Sequence, residues 1–246
     1  MYSGTWNDIV MKFGSTVLIS LSVLMLILLC GCLGSEGWSA QDWIEQGNRF
    51  AKDGLYIEAV DAYSNSIRLD PVNPKVWTWR GIALQHLGRQ QEAMNDFDEA
   101  IRLNPDERGA WQGKASSYIE DGQYKLAIKA AERSLELAGP DDKKENSYLL
   151  LGFAYNRLEN YEDALLKFDK AIEIDPKRID LWQHKAYTLT KLGRFMEVLK
   201  CYEVMTGIDP ENPEIWNKKG EIHLALGQIN EANEAFTYAK SLIERN

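Results

Sequence analysis

Six aromatic residues recur along this chain at near-constant intervals. Trp43, Trp77, Trp111, Tyr148, Trp182 and Trp216 are separated by 34, 34, 37, 34 and 34 residues. A single closed core imposes no such beat. A period near 34 marks stacked supersecondary units, each burying its apolar side against the next. One phrase repeats with it: IRLDPVNPKVW from Ile67, IRLNPDERGAW from Ile101, IEIDPKRIDLW from Ile172 and TGIDPENPEIW from Thr206.

When each unit is numbered so that its aromatic is position 4, other columns fill. Position 8 is small: Gly47, Gly81, Ala115, Gly152, Ala186, Gly220. Position 20 holds Ala59, Ala93, Ala127, Ala164, Val198, Ala232, and position 24 holds Tyr63, Phe97, Ala131, Phe168, Tyr202, Phe236. Position 15 is Gly54, Gly88, Gly122, Glu159, Gly193, Gly227, and prolines 71, 105, 176 and 210 close four units. Two helices per unit fit this pattern. Small residues let the helices approach while the aromatics fill the space around them. Glycine at position 15 ends the first helix in left-handed geometry, and proline stops the second. Asn73-Pro74 and Asn212-Pro213 cap the next helix.

These columns are similar to those of the tetratricopeptide repeat family, over residues 40 to 246. The resemblance implies an all-α, right-handed solenoid of six helical hairpins: 40–73, 74–107, 108–144, 145–178, 179–212 and 213–246. Departures carry expectations of their own. Ala131 and the longer junction AGPDDKKENS predict a longer loop and an altered stacking angle, dividing the array into two groups of three. Val198 and Met205 predict wider helix spacing in unit 5. Glu159 replaces the capping glycine, so Asn160 is expected to take the left-handed conformation. Positions 21 and 28, expected to face the following unit, turn from apolar to Asn233 and Lys240 in unit 6. That is the soluble face a terminal repeat requires, and it implies a monomeric array.

The array lies behind an uncharged run, VLISLSVLMLILLCGCLG from Val17 to Gly34. Residues 1–32 read as a signal peptide or membrane anchor, and 33–39 as a short linker. Gly31-Cys32 after a leucine-rich core resembles the lipobox of prokaryotic lipoproteins, which implies lipidation of Cys32. Cys30 departs from that pattern. An uncleaved anchor helix and a buried core segment remain open alternatives. Lys12 before the run places the array on the extracytoplasmic face of the cell membrane. From Cys32 to Ala40 the chain reaches at most about 28 Å, which keeps the array near that surface.

No catalytic constellation is visible. The three histidines, His86, His184 and His223, are scattered over different units. His86 and His184 are expected too far apart to share a metal, and His223 reads as a core residue. No glycine loop is left for phosphate once the helix caps are assigned, and no cofactor is implied. Carboxylates read as solvated faces with i,i+4 support. Cys201 reads as a structural thiol, since a reactive one needs an electropositive site. The formal net charge of -9 argues against nucleic acid.

What remains is a surface. The resemblance implies that first helices line a concave groove for peptide or protein segments. The groove residues expected to matter are Asn48, Lys52, Trp79, Ile82, His86, Ser116, Phe153, Arg157, Tyr187 and Lys191. Asn156 and His184 belong to the wider first-helix set, as do Ile44 and Thr78. The carboxylate clamp of chaperone-binding members is lacking: Ile44 and Asn48 stand at its unit 1 positions, Gly109 and Gly113 at those of unit 3. The expected function is a non-enzymatic, membrane-tethered scaffold. The alternative is a structural assembly factor or an accessory subunit of a cell-envelope or secretion complex.

Overall fold

The computed structural model describes residues 37–140 and 142–245 of the chain. The apolar run, Lys12 and Cys32 lie outside the described residues. Among the described residues there are twelve helices and no strand. They pair as hairpins: α1 (Ala40–Lys52) with α2 (Tyr56–Leu69), α3 (Pro74–His86) with α4 (Gln90–Leu103), and α5 (Arg108–Glu120) with α6 (Tyr124–Glu136). The series continues as α7 (Glu145–Arg157) with α8 (Tyr161–Ile174), α9 (Ile179–Lys191) with α10 (Phe195–Ile208), and α11 (Pro213–Ala225) with α12 (Ile229–Arg245). Each helix packs on its neighbours in sequence, so the hairpins form a solenoid.

The helix ends follow their capping chemistry. Ser39 and Asp42 form a reciprocal capping box at the start of α1. Asn73 and Asn212 accept from the N–H groups of Lys75 and Glu214, with Pro74 and Pro213 opening α3 and α11. Five first helices end on glycines 54, 88, 122, 193 and 227, with φ between +70° and +76°. In unit 4 the left-handed residue is Glu159 itself, at φ +61°, and not Asn160, which sits at φ -82°. The reason is register. The N–H groups of Glu159 and Asn160 must reach the carbonyls of Asn156 and Tyr155, at 3.0 Å each. That geometry fixes which position turns left-handed, whatever residue stands there.

The repeated phrase has a specific chemical content. In four units the indole N–H of the position 4 tryptophan donates to the carbonyl of the preceding proline: Trp77 to Pro71, Trp111 to Pro105, Trp182 to Pro176 and Trp216 to Pro210, at 2.8 to 2.9 Å. Each bond pins a first helix to the end of the helix before it.

Packing inside the hairpins is equally regular. The rings of Tyr63, Phe97, Phe168 and Phe236 lie directly over Gly47, Gly81, Gly152 and Gly220, where any β-carbon would run into them. Between units, Val60, Ile67, Leu165, Ile172 and Leu199 are buried, whereas Asn233 and Lys240 are exposed. Val198 and Met205 are fully buried in unit 5. The two helices of that hairpin approach each other less extensively than in any other hairpin.

The junction after α6 is longer, as expected: residues 137–144, against four residues at each of the other junctions between hairpins. The expected division into two groups of three does not appear as a break in packing. Ala115, Ala130, Ala131 and Leu151 form one buried cluster across this junction, joined by Trp111, Tyr148 and Leu150. Within helices and at their starts, five surface ion pairs are i,i+3 and one, Lys240–Glu244, has the expected i,i+4 spacing: the five are Arg89–Glu92, Arg102–Glu99, Arg133–Glu136, Arg194–Glu197 and Lys218–Glu221. They hold exposed faces together and contribute little to stability.

Candidate partner-binding groove

The first helices of units 2, 3 and 4 touch one another directly, α3 on α5 and α5 on α7, and no two second helices approach to that extent. The array therefore curves with its first helices inside. Side-chain amides stitch this inner face. Gln85 donates to the Gly113 carbonyl and to Ser117, at 3.0 and 2.8 Å. Gln112 donates to Ser147 at 2.8 Å, and Asn156 to Thr188 at 2.9 Å.

The inner face carries two depressions. The first, of about 270 Å³, lies between units 1 and 2 and is lined by Asn48, Tyr56, Tyr63, Trp79, Ile82 and His86. Tyr63 donates to Asn48 at 2.8 Å, and its phenol is pushed up to about 12 by burial. Trp79 tilts against Tyr63, and His86 stacks face to face on Tyr56 at 4.2 Å. Ile82 is 38 % exposed at the rim.

The second depression, of about 280 Å³, is lined by Phe153, Asn156, Arg157, His184 and Tyr187. Phe153 stands edge-on to Phe168 and to His184, with centroids 6.2 and 4.2 Å apart. Tyr187 is 54 % exposed, and the Lys191 ammonium lies 5.3 Å from its ring centre. Burial holds the His184 imidazole below its ordinary pKa, so the ring is biased towards its neutral form.

The ten expected residues thus separate. Asn48, Trp79, Ile82 and His86 meet in the first depression; Phe153, Arg157 and Tyr187 meet in the second, with Lys191 above it. Lys52 is exposed outside both, and Ser116 is half-buried between them. Ile44 and Thr78 are core residues, at 6 % and 3 % exposure, and the Thr78 methyl packs toward Gly109 of the next first helix. Tyr56 was not foreseen, since it opens a second helix. Its signal was present all the same: position 17 reads Tyr56, Tyr124, Tyr161 and Phe195 in four units.

The remaining candidates for chemistry are structural. His223 is buried, with its Nδ1 2.7 Å from Gln228. Burial pushes the Cys201 thiol up to about 11, which makes it a poor nucleophile. A further depression, of about 490 Å³, lies on the other side, between Trp77, Arg80, Arg89 and Asp96. Its cations are spent. Arg80 grips the buried Asp96 with two bonds of 2.7 Å, and Arg89 holds Glu92 at 2.6 Å.

Known proteins share this architecture. Family models described as tetratricopeptide repeat match residues 74–107, 107–177, 167–200 and 213–246. The tetratricopeptide repeat and J domain-containing co-chaperone DNJ1 of Cryptococcus neoformans is 27% identical over 186 residues, 72% of this chain and 36% of that protein. This chain therefore spans about a third of that relative's length. Among solved structures, PilW, a widely conserved type IV pilus biogenesis factor, is similar with a TM-score of 0.73 at 14% identity, over 80% of this chain and 90% of that one. The Pseudomonas aeruginosa pilF structure gives 0.69 at 12% identity, over 82% and 91%. These likenesses concern the fold. With four matched segments and the helical hairpins that continue across them, the chain is a protein built of tetratricopeptide repeats.

Proposed function

We propose that this chain is a non-enzymatic scaffold that holds a peptide or protein segment along its inner face while its N-terminal segment ties it to a membrane. Tetratricopeptide repeat proteins are in general protein-interaction scaffolds, and the chemistry of the groove suits that role. The observation that carries the reading is the second depression, where Phe153 and the exposed Tyr187 flank Arg157. Aromatic side chains beside an arginine are the side-chain types that dominate binding energy at protein interfaces. The tether rests on the sequence: the apolar run before residue 35 and Cys32 as its lipidation site. Its orientation rests on Lys12, which puts the array on the extracytoplasmic face.

A photo-crosslinking residue at position 187, with a control at the exposed Lys129 on α6, tests the groove in intact cells. Adducts from 187 and not from 129 support it. Adducts from 129 alone reject it in favour of a second reading, an accessory or assembly subunit of a cell-envelope complex that uses its second-helix face. That reading draws on the short linker, which holds every face of the array near the membrane surface. Mass measurement of the mature N-terminus decides between a lipidated Cys32 and a retained anchor.

A further inference from the structure

The second depression has an arginine and no carboxylate among its lining residues. Acidic side chains outnumber basic ones, 37 to 28, so carboxylates are not scarce. Of the cations of units 4 and 5, Lys167 and Lys170 lie over the rings of Tyr155 and Tyr148, and three are matched by carboxylates. Arg178 binds Asp180 at 2.8 Å, Lys185 binds Asp169 at 2.6 Å, and Arg194 binds Glu197 at 2.6 Å. Arg157 and Lys191 occupy the same position in successive first helices, and among the described residues neither has a carboxylate within 4.0 Å. Lys191 instead lies over the Tyr187 ring. Asn156 spends its amide on Thr188. The depression therefore presents aromatic walls and a positive rim with no carboxylate among its lining residues.

The same position in unit 3 is Glu120, which accepts from Gln90. A negative charge thus stands between this cationic patch and the first depression. The patch is confined to units 4 and 5.

We propose that this depression receives an acidic segment of a partner protein: a large apolar side chain seats between Phe153 and Tyr187, and a carboxylate within two residues of it pairs with Arg157 and Lys191. This rests on the groove reading above and adds the chemistry of the ligand. A partner carboxylate at this rim meets two exposed cations that have no carboxylate of their own, an arrangement that steers association and favours acidic partners over basic ones.

The test is selection from a random heptapeptide display library on the full chain held in detergent, in parallel with an Arg157→Glu/Lys191→Glu variant. Both side chains are exposed, so the variant is expected to fold, which circular dichroism checks. The wild-type chain is expected to enrich Asp or Glu within two residues of a large apolar side chain. The variant is expected to lose those peptides by about tenfold or more and to enrich Lys or Arg in their place. Tyr187→Ala separates the two ideas. If enriched peptides lack an acidic bias yet depend on Tyr187, the charge proposal falls and the groove stands. If they ignore both changes, or if no peptide is enriched, both fall.

Discussion

The junction between units 2 and 3 and the junction between units 3 and 4 stack the same kind of hairpin with different chemistry. At the first, four residues connect the helices, the Trp111 indole donates to the Pro105 carbonyl at 2.9 Å, and the Phe97 ring covers Gly113 of the next unit. At the second, eight residues connect the helices, Tyr148 stands in for tryptophan, and Ala131 stands in for the aromatic ring. Volume is made up from the other side. Leu150, at the position of Gly113, packs onto the cluster that contains Ala131. Polar groups take over the stapling: Ser134 bonds Ser147 at 2.7 Å, Gln112 bonds Ser147 at 2.8 Å, and Arg108 bonds the Lys143 carbonyl at 2.7 Å. A stacking surface thus needs filled volume and satisfied ends, and either side can supply them.

That exchange of volume is breakable. Phe97→Ala removes a fully buried ring and is expected to cost about 3–5 kcal/mol in urea unfolding, the largest effect considered. Ala131→Phe adds a ring where Leu150 already fills the space, and is expected to cost about 1–3 kcal/mol. Leu150→Gly in that background makes room. It is expected to recover part of the loss, giving a coupling energy of about 1 kcal/mol or more. A neutral Ala131→Phe would show an unfilled gap at this junction and sink the compensation argument.

The stapling bonds come next in size. Trp111→Phe keeps most of the ring but deletes the donor to Pro105, at an expected cost of about 0.5–1.5 kcal/mol. Tyr148→Phe is expected to change stability by less than about 0.5 kcal/mol, because among the described residues its hydroxyl has no hydrogen-bond partner. Equal costs for the two would mean that the indole bond contributes nothing.

The turns within hairpins offer a smaller contrast. Gly122 and Glu159 occupy the same left-handed position in units 3 and 4. A side chain there costs roughly 1–2 kcal/mol, partly offset because glycine loosens the unfolded chain. Glu159→Gly is expected to raise stability by about 0.5–1 kcal/mol, and Gly122→Glu to lower it by a similar amount. Thermal unfolding of the pair reads both signs.

Which parts of this were legible in the sequence follows from what repeats. Glycine, alanine, tryptophan and proline columns are written several times, so the hairpins, their caps and the buried face between units could be read from spacing. The residues of the indole-to-proline bond stand in the repeated phrase, but the meeting of N–H and carbonyl depends on how the chain turns between two helices. At Glu159, register outranks residue preference in fixing which position turns left-handed. The groove was only half legible. Position numbers place Phe153, Arg157 and Tyr187 on first helices, yet their meeting in one depression depends on how successive helices rotate. Tyr56 opens a second helix and so falls outside the first-helix set expected to line the groove. The partner is not written in the chain at all, since a groove is specified by contacts with a second molecule.

The two depressions also differ in how they hold their histidines. His86 lies exposed at a rim, stacked on Tyr56, whereas His184 is wedged between Phe153 and Phe168. Burial lowers the folded-state pKa of His184 below the ordinary 6.5; Asp180 opposes the shift and Arg178 assists it. The sign follows from linkage. As pH falls below 6.5, the unfolded chain binds this proton before the folded one does. The contribution of neutral His184 is therefore complete above that value and is lost as pH falls through the folded pKa. Hydrogen exchange of α7 and α9 is expected to show weaker protection at about pH 5.5 than at about pH 7.5, the smallest of these effects. His184→Gln should flatten that difference while leaving α1 and α3 unaltered. If the difference persists in the variant, carboxylates elsewhere govern the pH response, and the second depression owes nothing to its imidazole.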